Sequence, residues 1–319
     1  MSASSVDRRI RSLRPPKAHV DPYTAHGSLL EEERRPNGTI ERALTVFLAG
    51  AECPFTCSFC DLWRWTIDGP TPAGALINQL ESVLHALAGQ AADRLKLYNA
   101  SNFFDRRAVP IEDLPHIAKL AQPFSGVTVE SHASTIGAPA LEFARLIPGR
   151  LEVAVGLETI HPMALRTLNK RLTLSRFDDA TGFLLDHAID LRVFVLLGAP
   201  YVPPDESVDW AVRTTGHAAQ RGAAIVSIIP ARGGNGEMER LASLGHFTPP
   251  TLRQLEAALE RSLQCVPSTT VVTADLWDAK RLAACDSCRS ARIDRLRRLN
   301  LTGVAETPVV CPVCDGEGR

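Results

Sequence analysis

Apolar residues fall in two rhythms along this chain. Short unbroken runs recur at 44–49, 95–98, 127–130, 151–157, 191–197 and 223–229. Each has the length of a strand buried on both faces of a parallel sheet, and most are rich in β-branched residues or Leu. Longer stretches with helical spacing lie between them, at 73–87, 111–121, 139–146, 162–169, 175–187 and 206–221. Ser175 and Asp205 are expected N-caps, and Pro139 and Pro162 sit at or near first turns. Strand–helix alternation repeated six times predicts an α/β fold. Six units suit a partial (β/α)6 TIM-like barrel better than a closed eightfold one. A further helix is expected at 252–263.

The flanks differ in texture. Residues 1–40 are rich in Arg, Pro and Glu without periodicity, and read as an irregular N-terminal arm. The barrel is expected over 41–264. Residues 265–319 read as a small Cys-rich appendage with one more strand near 271–277, a basic stretch and a Gly-rich end.

Composition narrows the function classes. The formal net charge of -1 gives no global attraction to nucleic acid or membrane. The N-terminus lacks the apolar segment of a secretory signal. The most apolar run, 193–201, falls far short of the roughly 20 residues of a membrane span. A cytoplasmic, soluble protein is expected. Of eight cysteines, seven form tight groups: Cys53, Cys57 and Cys60; Cys285 and Cys288; Cys311 and Cys314. Only Cys265 stands alone. Such spacing in a chain of 319 residues without an export signal points to metal ligation rather than a disulfide framework.

The first group has the spacing C-x3-C-x2-C and follows the first predicted strand at once. That puts three thiols on the first βα loop, at the carboxyl end of the sheet, where such folds bind ligands. Zinc prefers four ligands, and no fourth Cys or His lies close by in sequence. Three thiolates on a four-iron cubane leave one iron open to a small molecule. The motif, its place after the first strand and the aromatic Phe59 before the last Cys resemble the radical S-adenosylmethionine (SAM) superfamily. The strings 98–101, 155–159 and 169–171 are similar to the branch with the archaeosine-synthesis radical SAM subunit, the elongator catalytic subunit and the methylthiotransferases.

The resemblance implies a [4Fe-4S] cluster on Cys53, Cys57 and Cys60 and reductive cleavage of SAM to a 5′-deoxyadenosyl radical. It implies hydrogen abstraction from a substrate and an external electron donor. The substrate is left open between a modified tRNA base, a small metabolite and a peptide. A non-catalytic zinc or iron–sulfur protein that binds nucleic acid is the competing reading. For SAM, the resemblance places Phe59 against the adenine and Glu158 on the ribose, with Lys170, or its neighbour Arg171, as a cation for the carboxylate. Asn99 and Ser101 stand where the family often has Gly-Gly-Glu for the SAM amino group. Glu130 is a further SAM or substrate contact, and Arg232 and Asn235 are candidate substrate contacts. Helix capping, rim ion pairs and a solvated helix end are the structural alternatives at these positions.

Cys285, Cys288, Cys311 and Cys314 form two C-x2-C pairs, which suit zinc or an auxiliary [4Fe-4S] cluster. On a helix between them, Arg292, Arg295 and Arg298 would share one side and Ile293, Leu296 and Leu299 another. The basic side would serve RNA phosphates or a solvated surface.

Overall fold

The computed structural model describes residues 4–314. The chain enters through α1 (Ser5–Ser12), whose first turn is closed by reciprocal bonds between Ser4 and Asp7. Next, β1 (Gly27–Arg34) pairs antiparallel with β2 (Ile40–Phe47). Alternation then follows through α2 (Ala75–Ala86), β3 (Arg94–Tyr98), α3 (Leu114–Leu120), β4 (Gly126–Ser131), α4 (Ala138–Leu146) and β5 (Arg150–Glu158). It continues with α5 (Pro162–Thr167), α6 (Leu174–Asp186), β6 (Asp190–Leu197), α7 (Ser207–Gln220), β7 (Ile225–Pro230) and α8 (Glu237–Ser243). The last elements are α9 (Leu252–Cys265), β8 (Val271–Ala274) and α10 (Asp286–Thr302). The strands lie side by side in chain order, and β2 to β8 are parallel.

All six apolar runs form strands, β2 to β7, in a TIM-like barrel sheet that has eight strands rather than six. The two extra strands come from the flanks. Residues 1–40 are not irregular throughout, because they hold α1 and β1. The acidic run of β1 hid it, since Glu31 and Glu33 meet cations from other strands. At the other end β8 pairs with β7, and α10 packs against both β1 and β8, between the two edge strands of the sheet. The Gly-rich end, 315–319, lies outside the described residues. At α6 the N-cap is Thr173, not Ser175, and at α7 it is Glu206, not Asp205.

Strand alternation sorts the side chains. Leu95, Leu97, Val127, Val129, Val153, Val155, Val193 and Val195 belong to the main apolar core. Intervening positions meet across the barrel. Arg192 of β6 reaches Glu33 of β1 at 2.7 Å and Glu152 of β5 at 2.8 Å. Lys96 of β3 reaches Glu31 at 2.7 Å. This ion network fills the interior toward the amino ends of the strands. One step further along, Tyr98 of β3 and Phe194 of β6 meet edge to face with centroids 6.3 Å apart. Phe47 and Trp277 lie 5.8 Å apart, with Trp277 exposed beyond the end of β8.

The basic side expected on α10 does not face solvent. Arg292 and Arg295 are buried and pair with Glu256 of α9, and Arg295 also pairs with Glu260. Arg298 is exposed but engaged by Glu306. These cations hold α10 onto α9 because an unpaired buried charge would be far more costly than a paired one.

Candidate iron–sulfur and metal sites

The cysteine loop runs from the end of β2 and is held from several sides. Cys60 N donates to Cys57 O at 3.2 Å, which closes a turn. Ser58 N donates to Leu168 O at 2.9 Å. Asn235 Nδ2 donates to Ser58 O at 2.9 Å and Cys60 O at 3.1 Å. Asn235 therefore braces the loop from beyond β7, a role different from the expected substrate contact. Arg232 pairs with Asp275 at 3.0 Å.

Burial pushes the Cys57 thiol up to about 12 and raises Cys53 and Cys60 as well. Three thiolates at these positions therefore need positive charge close by. Lys170 supplies part of it. Burial alone would drain its charge, but Glu158 and the thiols of Cys57 and Cys53 hold it above the usual lysine range. Its Nζ lies 2.8 Å from Glu158 Oε1 and 5.9 Å from the centre of the Phe59 ring.

Backbone strain gathers at this end of the barrel. Ala100, Glu158, Asn169 and Arg171 are non-glycine residues with φ of 53°, 69°, 55° and 57°. Such left-handed residues persist only where surroundings over-determine them, and they cluster at functional sites. Gly156 makes room for the ion pair, since a Cβ there would stand 2.1 Å from Glu158 Oε1 and 2.7 Å from Lys170 Nζ.

Of the residues expected around SAM, Phe59, Glu158 and Lys170 gather beside Cys57. Glu130 Oε1 accepts the Asn99 N–H at 3.1 Å. Its carboxyl is pushed up to about 7 by burial, opposed by the backbone N–H groups of Asn99 and Ala100 and by Lys170. Arg171 does not join them, because its guanidinium turns to Asp7 of α1 at 2.5 Å.

Two neighbours were not anticipated. Asn102 is buried, donates from Nδ2 to Cys53 Sγ at 3.5 Å and accepts the His132 N–H at 2.7 Å. His132 stacks on Phe55 with centroids 4.1 Å apart. Both its ring nitrogens are engaged, with Ser134 Oγ at 2.7 Å and Lys170 O at 3.0 Å. Burial, then Lys170, lowers its pKa to about 4, so it is neutral. No spacing in the sequence ties an Asn after β3 to a cysteine 49 residues earlier.

No family model matches the sequence, and no curated protein matches it. Solved structures do. Elp3 of the archaeon Methanocaldococcus infernus superposes with a TM-score of 0.53 at 12% identity, over 70% of this chain and 59% of that one. Methylornithine synthase (PylB) gives 0.51 at 12% identity, over 79% and 67%. SuiB of Streptococcus suis gives 0.50 at 11%, over 71% and 47%. The chain thus spans 59% of the Elp3 length.

The chain shares the TIM-like barrel fold of these proteins.

Within this barrel, two of the residues expected around SAM carry unpaired polar atoms. Asn99 is fully buried, yet neither its Oδ1 nor its Nδ2 has a hydrogen-bond partner, and Ser101 Oγ is likewise buried and unpartnered. Leaving such atoms unpaired costs about 1–3 kcal/mol each, so they suit a polar ligand such as the SAM amino acid portion.

The C-terminal cysteines come together at the end of α10. Cys285 Sγ lies 3.5, 3.8 and 3.0 Å from the sulfurs of Cys288, Cys311 and Cys314, and Cys288 lies 3.8 Å from Cys314. All four sulfurs fall within 4.8 Å of one another. A tetrahedral ion with bonds of about 2.3 Å sets its sulfurs about 3.8 Å apart. A cubane puts each thiolate on a different iron, with sulfurs roughly 6 Å apart. The observed separations fit one ion. Arg292 Nε donates to Cys288 Sγ at 3.3 Å, as suits a negatively charged tetrathiolate. Among the described residues, no helix is long and apolar enough to cross a membrane.

Proposed function

We propose that this chain is a radical SAM enzyme that holds a [4Fe-4S] cluster on Cys53, Cys57 and Cys60 and reductively cleaves SAM there. The observation that carries it is that the half-buried thiols of Cys53, Cys57 and Cys60 lie within electrostatic reach of one another, with Lys170 facing Cys57 and Cys53 and the imidazole of His132 fully engaged and so unable to serve as a fourth ligand. A cluster held on Cys53, Cys57 and Cys60 would supply the one-electron reduction that cleaves a carbon–sulfur bond of SAM, with the electron drawn from an external donor. The protein's own groups do the rest. Lys170 offers a cation for the SAM carboxylate, Asn99 and Ser101 offer unpaired polar atoms, and Glu158 offers a carboxylate for the ribose. Phe59 offers an apolar face for the adenine.

The substrate we propose is a nucleobase, as in tRNA. The aromatic rings of Phe47, Tyr98 and Phe194, with Trp277 exposed at the rim, suit a planar ring. A cavity of about 430 Å³ beside Cys53 is lined by Arg11, Arg14 and Arg107 together with Glu52 and Asp68; Arg14 is paired with Glu52 at 2.7 Å, which leaves Arg11 and Arg107 as the cations suited to phosphate. Bulk tRNA should raise the yield of 5′-deoxyadenosine over protein and SAM alone, and a mixture of small metabolites and peptides should not. The reverse pattern would refute the nucleobase and leave the cluster reading intact.

For the four C-terminal cysteines we propose a single zinc ion. The sulfur separations support a mononuclear site, and zinc needs no redox partner to stabilise the end of α10.

A further inference from the structure

The N-terminal helix reaches into the cluster site through one carboxylate. Asp7 is 3% exposed and lies 49 residues from Thr56 and 162 from Asn169 in sequence. Its Oδ1 accepts from Thr56 Oγ1, and from Asn169 Nδ2 at 2.9 Å. Its Oδ2 accepts from Arg171 at 2.5 Å and from Ser4 N at 2.9 Å. Burial opposes ionisation, but the bonds from Thr56, Asn169 and Ser4 hold the carboxyl well below its usual range.

These partners bracket the cluster chemistry. Thr56 precedes Cys57, and Asn169 Nδ2 also donates to Thr56 O at 2.8 Å. Asn169 and Arg171 flank Lys170, and both are left-handed. Left-handed backbone is strained for residues other than glycine, so the turn needs ties from outside itself. Asp7 binds the residue on either side of Lys170. Lys170 O is held by His132, and Lys170 Nζ is thereby delivered to Glu158 and toward the thiols of Cys57 and Cys53.

We infer that Asp7 is a positioning residue of the cluster site: it clasps the Thr56 end of the cysteine loop to the Asn169–Arg171 turn and so sets Lys170 in front of the thiolates. The inference rests on the reading of Cys53, Cys57 and Cys60 as the cluster ligands. It makes α1 part of the site. A cation near the thiolates favours the reduced, more negative cluster, and displacing it disfavours that state.

The test compares anaerobically reconstituted wild-type protein with Asp7→Asn, Asp7→Ala, Lys170→Met and the Asp7→Ala/Lys170→Met pair. Arg9→Ala serves as the control; it cuts the Arg9–Glu237 tie of the same helix, 3.0 Å long, without touching the clasp. Iron content, midpoint potential and the change in the reduced-cluster EPR signal on titration with SAM are read. Asp7→Ala is expected to keep the wild-type iron content, shift the potential negative and weaken SAM binding at least tenfold. Asp7→Asn keeps the shape, loses the charge and should fall between. Adding Asp7→Ala to Lys170→Met should change nothing further, and Arg9→Ala should match wild type. Potential and SAM affinity unchanged in both Asp7 variants would overturn the inference, as would effects that add fully to those of Lys170→Met. A wild-type chain that takes up no iron would instead overturn the cluster reading beneath it.

Discussion

Lys170 Nζ stands 2.8 Å from Glu158 Oε1, with both side chains buried and Gly156 leaving the space they occupy. Removing one partner strands a buried charge. Lys170→Met is therefore expected to destabilise the protein by about 3 kcal/mol. Glu158→Gln in the same chain should restore part of that loss. Denaturant unfolding of the two variants checks it, and a double variant that loses the sum of two separate effects would refute the coupling.

Asn102 reaches Cys53, a proposed cluster ligand, from the loop after β3. Hydrogen bonds to cluster sulfurs raise the reduction potential. Asn102→Leu should lower the midpoint potential, on the order of tens of millivolts, with iron content unchanged. Spectroelectrochemical titration measures this, and an unchanged potential would remove Asn102 from the account.

Asn102 also marks the limit of what could be read beforehand. The cysteine loop was legible because its spacing is local and its place follows a strongly apolar run. Glu158 stood out as a carboxylate closing an apolar strand, and Lys170 through the resemblance of its short string to a family motif. Asn102, His132 and Asp7 were not, because their contacts span long separations and their residue types are common in loops. The same limit applies to β1, whereas β8 falls within the strand expected near 271–277. β1 reads as a charge run because its glutamates answer Lys96 and Arg192 across the barrel. The arginines of α10 showed helical spacing, but their burial depended on Glu256 and Glu260 of another helix.

Glu130 gives a pH signature. Burial raises its carboxyl to about 7 in the folded protein, against an ordinary value of 4.5. Between those values the folded state holds a proton that the unfolded state has released, so this group's contribution to stability falls as pH rises. It is fully present below about pH 4.5 and lost through about pH 7. Relative to wild type, Glu130→Gln should gain stability between pH 5 and 8 by up to about 3 kcal/mol. A stability difference that stays flat with pH would contradict the burial of this carboxyl.

The C-terminal site should hold one zinc and no iron. Cys311→Ser is expected to lose about one zinc per chain while keeping about four irons. Cobalt taken up in place of zinc should show the absorption of a tetrahedral thiolate site. About eight irons per wild-type chain, falling to about four in the variant, would show a second cluster instead.

The central claim is that three thiolates and one open iron cleave SAM. Its most direct test is the 5′-deoxyadenosine released when the reconstituted, zinc-replete protein is mixed with SAM and a strong one-electron reductant without oxygen. Wild-type protein is predicted to release it, and Cys57→Ala to release none. Protein that carries about four irons and releases none, or a Cys57→Ala variant that matches wild type, would contradict the claim.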